Sequence, residues 1–406
     1  MIGLLNAYAN VFRGLNRNIW VLAGSMLINR SGSMVLMFTS LYLTRDLGFS
    51  IETAGWILSF YGFGSVLGSF SGGWLTDRFH HFPIMVASLV GSGVILLFLP
   101  ALRSEWAISA LIFCYAFTAD IFRPANSAAI AVFSTAESRT RSVSLVRLAV
   151  NLGFSIGPAA GGFIAIWMGY HALFVLDAAT SISAALLLVG YLPTGKGQPS
   201  KKTVPRNERG ASAYRDFPYL AFIFLVAVYG TCFFQLFSSM PQYFKEVCGY
   251  SEDVIGLLLA LNGFLVVVIE MPIISFLERK GSLFSLIVLG VLCIPVAFLC
   301  LYFGKGLLVW ALLYTLIITL SEILAMPFMM NFALSRGGNS RKGEYSALYS
   351  ISYGVATILA PSLGLGMAAS FGFSNMLLFF SALALLNAMA FYLLPRFMKM
   401  DLPPDS

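Results

Sequence analysis

Ser40-Leu-Tyr-Leu-Thr-Arg-Asp-Leu-Gly48 closes the first long apolar run of the chain, and Pro241-Gln-Tyr-Phe-Lys-Glu-Val-Cys-Gly249 closes another 201 residues later. At that shift Tyr42 meets Tyr243 and Gly48 meets Gly249. The register continues: Gly55 meets Gly256, Gly62-Phe63 meets Gly263-Phe264, and Asp77-Arg78 meets Glu278-Arg279. Drifting only to 202 and 203, it pairs Asp120 with Glu322, Ser138-Arg139 with Ser340-Arg341, Pro158 with Pro361 and Gly161 with Gly364. Apolar helices match one another by chance, but a steady offset that also sets loops on loops does not arise that way. The chain reads as two homologous halves in parallel orientation, the relation expected of repeats about an axis along a membrane normal.

Composition says what those halves are made of. Of 406 residues, 58% are apolar and 11% charged, against about 25% charged in soluble domains. At about 20 apolar residues per crossing, this supply serves about twelve transmembrane helices and leaves nothing for a soluble core. The runs are too long and uniform for barrel strands, which need about ten residues of alternating polarity. Their expected limits are 18–44, 52–77, 83–102, 106–134, 142–167, 171–193, 217–245, 252–277, 283–303, 307–334, 344–370 and 374–395. The fold class is therefore an all-α membrane protein of two pseudo-symmetric six-helix bundles, 1–193 and 217–406, joined by a polar linker at 194–216.

Basic residues give the orientation. Segments on the side of the termini and linker carry 18 Lys and Arg, and the opposite loops carry four (Arg45, Arg103, Lys245 and Lys305). The positive-inside rule then puts both termini and the linker in the cytoplasm. Without a targeting segment, a bacterial plasma membrane is expected. The net charge of +7 belongs to these loops, so no nucleic-acid partner is expected. Five cysteines without a C-x-x-C pair point to neither disulfide nor metal.

Twelve helices, a central linker and a parallel repeat resemble the major facilitator superfamily. After the second run, Gly73-Trp-Leu75-Thr-Asp77-Arg78-Phe-His80-His81-Phe82 resembles that family's loop motif G-x-L-x-D-R-x-G-R/K-R/K. Gly73, Leu75, Asp77 and Arg78 match, while His80 replaces the glycine and His81-Phe82 the basic pair. In the fifth run, Gly153-Phe-Ser-Ile-Gly157-Pro158-Ala-Ala-Gly161-Gly162 resembles the G-x-x-x-G-P-x-x-G-G motif of drug:proton antiporters, with Ser144 where a further glycine is expected. The resemblance implies conformational gating by Gly73, Asp77, Arg78, Gly153, Gly157, Pro158, Gly161 and Gly162, and action as a monomer. Ordinary close packing of small residues is the alternative for the second motif.

Seven ionisable residues fall inside the expected spans: Arg30, Asp120, Arg123, Arg147, Asp177, Glu270 and Glu322. Each costs about 2.5–3.5 kcal/mol at a bilayer centre, so each should face water or a partner. Asp120 and Arg123, three apart, share a helix face. The resemblance implies a cavity lined by helices 1, 4, 7 and 10, which carry Arg30, Asp120, Arg123 and Glu322. An acid that loses its arginine partner there binds a proton, because burial disfavours its charge. Asp120, Glu322 and Glu270 are the expected proton carriers, with Arg30 and Arg123 as pairing or substrate groups. Static interhelical pairing is the alternative for all of them, and the expected role of Arg147 and Asp177. Asn29, Tyr115, Asn126, Tyr229, Gln235, Asn331 and Tyr353 are candidate solute contacts.

The function expected is proton-coupled transport of a small amphipathic organic solute by alternating access, most simply export. Nutrient import and lipid or lysolipid movement keep the same fold. An intramembrane enzyme would need a nucleophile with a base, or a metal set. The three histidines lie at span edges and no Walker motif occurs, so neither enzyme chemistry, ATP hydrolysis nor a cofactor is expected.

Overall fold

The structure, a computed structural model, describes residues 14–135, 138–193, 213–277, 282–304, 306–336 and 342–400. Residues 194–212 of the expected linker lie outside these, as do Glu278, Arg279, Ser340 and Arg341 and the side chain of Asp77. Among the described residues all regular structure is helical. The first half holds α1 (Arg17–Gly32), α2 (Val35–Leu41), α3 (Ile51–Arg78), α4 (His81–Leu97), α5 (Glu105–Asp120), α6 (Phe122–Phe133), α7 (Arg139–Met168) and α8 (Tyr170–Tyr191). The second holds α9 (Phe217–Phe233), α10 (Met240–Glu246), α11 (Glu252–Leu277), α12 (Leu283–Gly304), α13 (Leu308–Arg336), α14 (Lys342–Phe371) and α15 (Phe373–Met400).

Eleven helical stretches among the described residues are long and apolar enough to cross a bilayer. The twelfth crossing, α3, has 28 residues but is diluted by six glycines and four serines. Those small residues form its contact surface. A Cβ at Gly64 or Gly68 would run into the Phe113 or Phe117 carbonyl oxygen, and one at Gly72 would lie 2.7 Å from that of Ile121. Without a hydrophobic drive between helices in lipid, close backbone approach of this kind is what holds spans together.

Among the described residues three spans are broken, which apolar periodicity does not reveal. The first bends at Ser33-Met34 between α1 and α2, then widens into a π turn at Tyr42–Asp46. Its repeat mate breaks between α9 and α10, through a 3-10 turn at Phe234–Leu236. The fourth breaks at Ile121, between α5 and α6. There the cause is legible: Pro124 lacks the N–H that would serve the Asp120 carbonyl four residues earlier.

The chain condenses into two compact units. One comprises Met1–Thr39, Phe63–Lys201 and Glu252–Phe264; the other comprises Ser40–Gly62, Lys202–Ser251 and Leu265–Ser406. Each unit takes in a short segment of the other half of the sequence, and glycines line the contacts of both segments. In the first unit, a Cβ at Gly256 would overlap the Pro158 carbonyl, and Ser155 Oγ donates to the Ala260 carbonyl at 3.0 Å. In the second, Gly55 and Gly62 lie against Pro361 and Ile358, and Ser59 Oγ donates to the Ile358 carbonyl at 2.8 Å.

Each unit has its own core. The first is aliphatic, built on Ile19, Leu22, Met85, Leu89, Phe122, Ala125, Ala184 and Leu188. The second is aromatic, with Tyr219, Phe222, Phe298, Tyr314, Phe380 and Phe391 completely buried.

Candidate functional site

In the first unit the broken fourth span supplies an acid. Asp120 ends α5 with 3% of its surface exposed. Its Oδ1 accepts from Arg123 Nε at 2.8 Å, while Oδ2 is buried without a hydrogen-bond partner. The shared face expected from the spacing is thus realised as an ion pair across the break. Arg123 remains more than half exposed, so one member of the pair reaches open space while the other does not. Ser88 of α4 donates to the Thr118 carbonyl at 2.6 Å and covers one of the groups uncovered by the break. Asn126, one turn beyond Arg123, is buried with Oδ1 unpartnered. Tyr115 is half-buried on α5.

Arg30 is not grouped with this pair. Its backbone and Cβ lie against Gly153 and Gly157 of α7, and its guanidinium sits over the Phe154 ring, 5.4 Å from the centroid. Asp177 of α8, 1% exposed, feels its charge. The neighbouring Asn29 donates to Ser181 Oγ at 3.1 Å, so its amide serves the α1–α8 seam. Arg147 lies exposed on α7.

The antiporter-like motif packs α7 against two sets of neighbours. Gly153, Gly157 and Gly161 form one face of α7 against Arg30, Ser31 and Met34, while Pro158 and Gly162 form another against Gly256 and Glu252–Asp253. One helix therefore makes two close crossings, which a four-residue glycine spacing with a second, offset set permits. At the loop motif, Gly73 has open space around it, and Arg78 stacks on Trp74 with 4.0 Å to the ring centroid. His80 replaces the family glycine as a helix cap, its Nδ1 accepting the Phe82 N–H at 3.3 Å. His81 stacks on it at 4.2 Å and packs edge-on to Phe133.

In the second unit, Glu322 lies half-buried on α13, within electrostatic range of Tyr229 of α9 and Tyr353 of α14. Tyr229 is fully buried with its hydroxyl 3.3 Å from Ser321 Oγ. Tyr349, absent from the sequence expectations, completes the group. Its hydroxyl donates to that of Tyr353 at 3.4 Å and to the Met326 carbonyl at 3.2 Å. A tyrosine four residues from another on an amphipathic helix was the available signal. Glu270 is buried on α11 and Asn331 exposed on α13.

Gln235 does not meet the expectation that it contacts solute. It is completely buried in the break of the seventh span. Its amide donates to the Thr231 and Ala360 carbonyls at 3.1 and 2.9 Å, and its oxygen accepts from Ser239 Oγ at 2.5 Å. With its hydrogen-bonding capacity spent on backbone freed by the break, it is a stitch between α9 and α14.

Comparison with known proteins agrees with this architecture. The family model described as Major Facilitator Superfamily matches residues 21–361. The Na(+), Li(+), K(+)/H(+) antiporter of Planococcus maritimus is 24% identical over 93% of this chain and 95% of its own length. The class C tetracycline resistance protein of Escherichia coli is 27% identical over 62% of this chain and 64% of its own length. Among solved structures, a POT family transporter in complex with 5-aminolevulinic acid superposes with a TM-score of 0.81, covering 95% of this chain and 97% of that one, at 14% identity.

Proposed function

This chain belongs to the major facilitator superfamily, a family of transporters, and from that premise we propose that it is a proton-coupled exporter of small amphipathic organic solutes. The observation that carries the reading is Asp120, a buried carboxylate with one oxygen paired to a half-exposed arginine and the other unpartnered. Such a group changes its preference for a proton when its partner turns to solvent or solute. Glu322, its repeat mate amid three tyrosines, is the counterpart acid, and Glu270 a further carrier. Arg123, Tyr115, Tyr353 and Asn331 form the solute-facing set, with the buried Asn126 and Tyr229 as further contacts that a change of state has to uncover, and the aromatic surface suits amphipathic or cationic cargo. The antiporter and tetracycline-resistance relatives support an exchange direction.

In this reading access alternates between the halves 1–193 and 217–406, with conformational gating by the Gly73–Arg78 motif and by the Gly153–Gly162 motif, whose glycines set how closely α7 approaches its neighbours. The protein acts as a monomer in a bacterial plasma membrane with both termini cytoplasmic, as the Lys and Arg bias and the bacterial relatives support.

Glu322→Gln tests the coupling. It should reach the membrane in normal amount and lose gradient-driven transport in proteoliposomes. Unchanged transport would end the assignment of Glu322.

A further inference from the structure

We propose that Asp177, held beside Arg30 where the first span breaks, is a second proton-binding site, inside the first unit and separate from the Asp120–Arg123 pair. A structural role is what the sequence favours for Asp177, and this inference rests on the reading of the chain as proton-coupled.

The geometry begins with the break itself. Ser33 and Met34 leave the helical path, so the Val35 N–H loses its place in the α1 ladder. That N–H lies near enough to the Asp177 carboxylate of the neighbouring helix to favour its charge. A Cβ at Gly32 would lie within 3.3 Å of the Asp177 Cα, so α1 and α8 touch backbone to backbone at this point. Asp177 is 1% exposed, and its Oδ2 is buried with no hydrogen-bond partner. Arg30 Nε is likewise buried and unpartnered. The two opposite charges are near enough to act on each other but are not joined through these atoms. A static structural pair would close both vacant positions, because each costs about 1–3 kcal/mol or more when left open. An open acceptor within electrostatic reach of an open donor is the arrangement of a site that works in two states.

The surroundings restrict what tunes the site. α8 packs on α1, α4, α7 and the Leu99–Ala101 turn. Those elements carry Arg17 and Arg30, His81, and Arg139, Arg141 and Arg147, while α8 itself adds Tyr170, His171 and Tyr191. Of these, Arg30 is the charge that acts on Asp177. In the charged state the carboxylate balances Arg30 and supports the Val35 N–H. Uptake of one proton from water gives a neutral acid with an O–H donor, and the unit gains one positive charge, left on Arg30. The support of the break weakens with it, so proton binding and the bend in the first span are linked.

Infrared difference spectroscopy on the full-length protein in lipid, recorded between alkaline and acidic pH, tests this directly. The wild type should show a carboxylic-acid C=O band that is lost in Asp177→Asn and kept in Asp120→Asn. In Arg30→Gln the same band should persist with proton binding tightened about tenfold or more, the effect of removing an adjacent opposite charge. Spectra of Asp177→Asn identical to wild type would overturn the proposal, and so would an Arg30→Gln midpoint identical to wild type. The measurement needs no solute. An Asp177 band in a protein that fails to couple transport to protons would therefore refute the transport reading and leave the site standing.

Discussion

Asp216 and Arg336 form a second ion pair, and its strength can be measured apart from transport. Arg336 donates from Nε and Nη2 to the two Asp216 oxygens at 2.6 and 2.8 Å, Tyr345 adds its hydroxyl at 2.9 Å, and the Tyr219 N–H, at the start of α9, adds a bond at 3.1 Å. Burial works against the Asp216 charge, but these donors outweigh it and hold the carboxyl below its ordinary range. A lowered native value means the contribution is fully present above the unfolded carboxylate pKa of about 3.9 and fades as pH falls through the native one. Asp216→Asn should therefore melt below wild type at neutral pH, with the gap closing in acid. A gap independent of pH would contradict the pairing. Because the pair is partly exposed, a double-mutant cycle with Arg336→Gln should give a coupling of only about 1 kcal/mol. Asp120 is the opposite case, nearly enclosed with a single anchor, and Asp120→Asn should cost transport far more than stability. Equal loss of both would make it a packing residue.

At the scale of the helix, glycines decide how near two spans come, and each has its own tolerance. A Cβ at Gly153 would meet the Arg30 and Ser31 backbone at 3.0 Å, whereas one at Gly157 meets carbonyl oxygens at 3.2 Å and one at Gly190 meets nothing within 4 Å. Gly153→Ala should then destabilise by about 1–3 kcal/mol through overpacking. Gly157→Ala should cost less, and Gly190→Ala should be neutral or stabilising by up to about 1 kcal/mol. Thermal melts in detergent read this order, and equal costs at all three positions would contradict the crossing geometry. The glycine spacing itself was legible in the sequence, since Gly153, Gly157 and Gly161 fall on one face. The second face, through Pro158 and Gly162, was not, because its partners come from α11, about a hundred residues away. The breaks at Ser33-Met34 and Phe234–Leu236 were also hidden: no proline marks the first, Pro241 follows the second only at the start of α10, and at the second the backbone is served by Gln235 from within the break. Gln235 shows the consequence, since a lone polar residue in a span reads the same whether it serves a solute or a bent helix.

At the scale of the molecule, the parallel repeat carried the architecture from the sequence alone, because loop residues such as Gly48 and Gly249 keep their register where apolar matches carry little information. Both are in the left-handed region, at φ 71° and 70°, which explains why glycine recurs there. The candidate acids were legible as charges within oil, and so was the local Asp120–Arg123 pair, but the surroundings of Asp177 and Glu322, which come from other helices, were not. Arg30 was expected as a pairing or substrate group without a named partner, and three-dimensional packing sets it over Phe154. What remains common to Asp120, Asp177 and Glu322 is a carboxylate kept within a helical unit, which a membrane protein retains at a cost of about 2.5–3.5 kcal/mol each. The return on that cost, in this account, is coupling to protons. The most direct test is proton flux in proteoliposomes of wild type and Asp120→Asn, with an imposed pH gradient and a panel of amphipathic cations and alkali ions. The account predicts that at least one amphipathic compound moves protons in the opposite direction through wild type, and that Asp120→Asn abolishes this movement. Compound movement indifferent both to the gradient and to Asp120→Asn would contradict it.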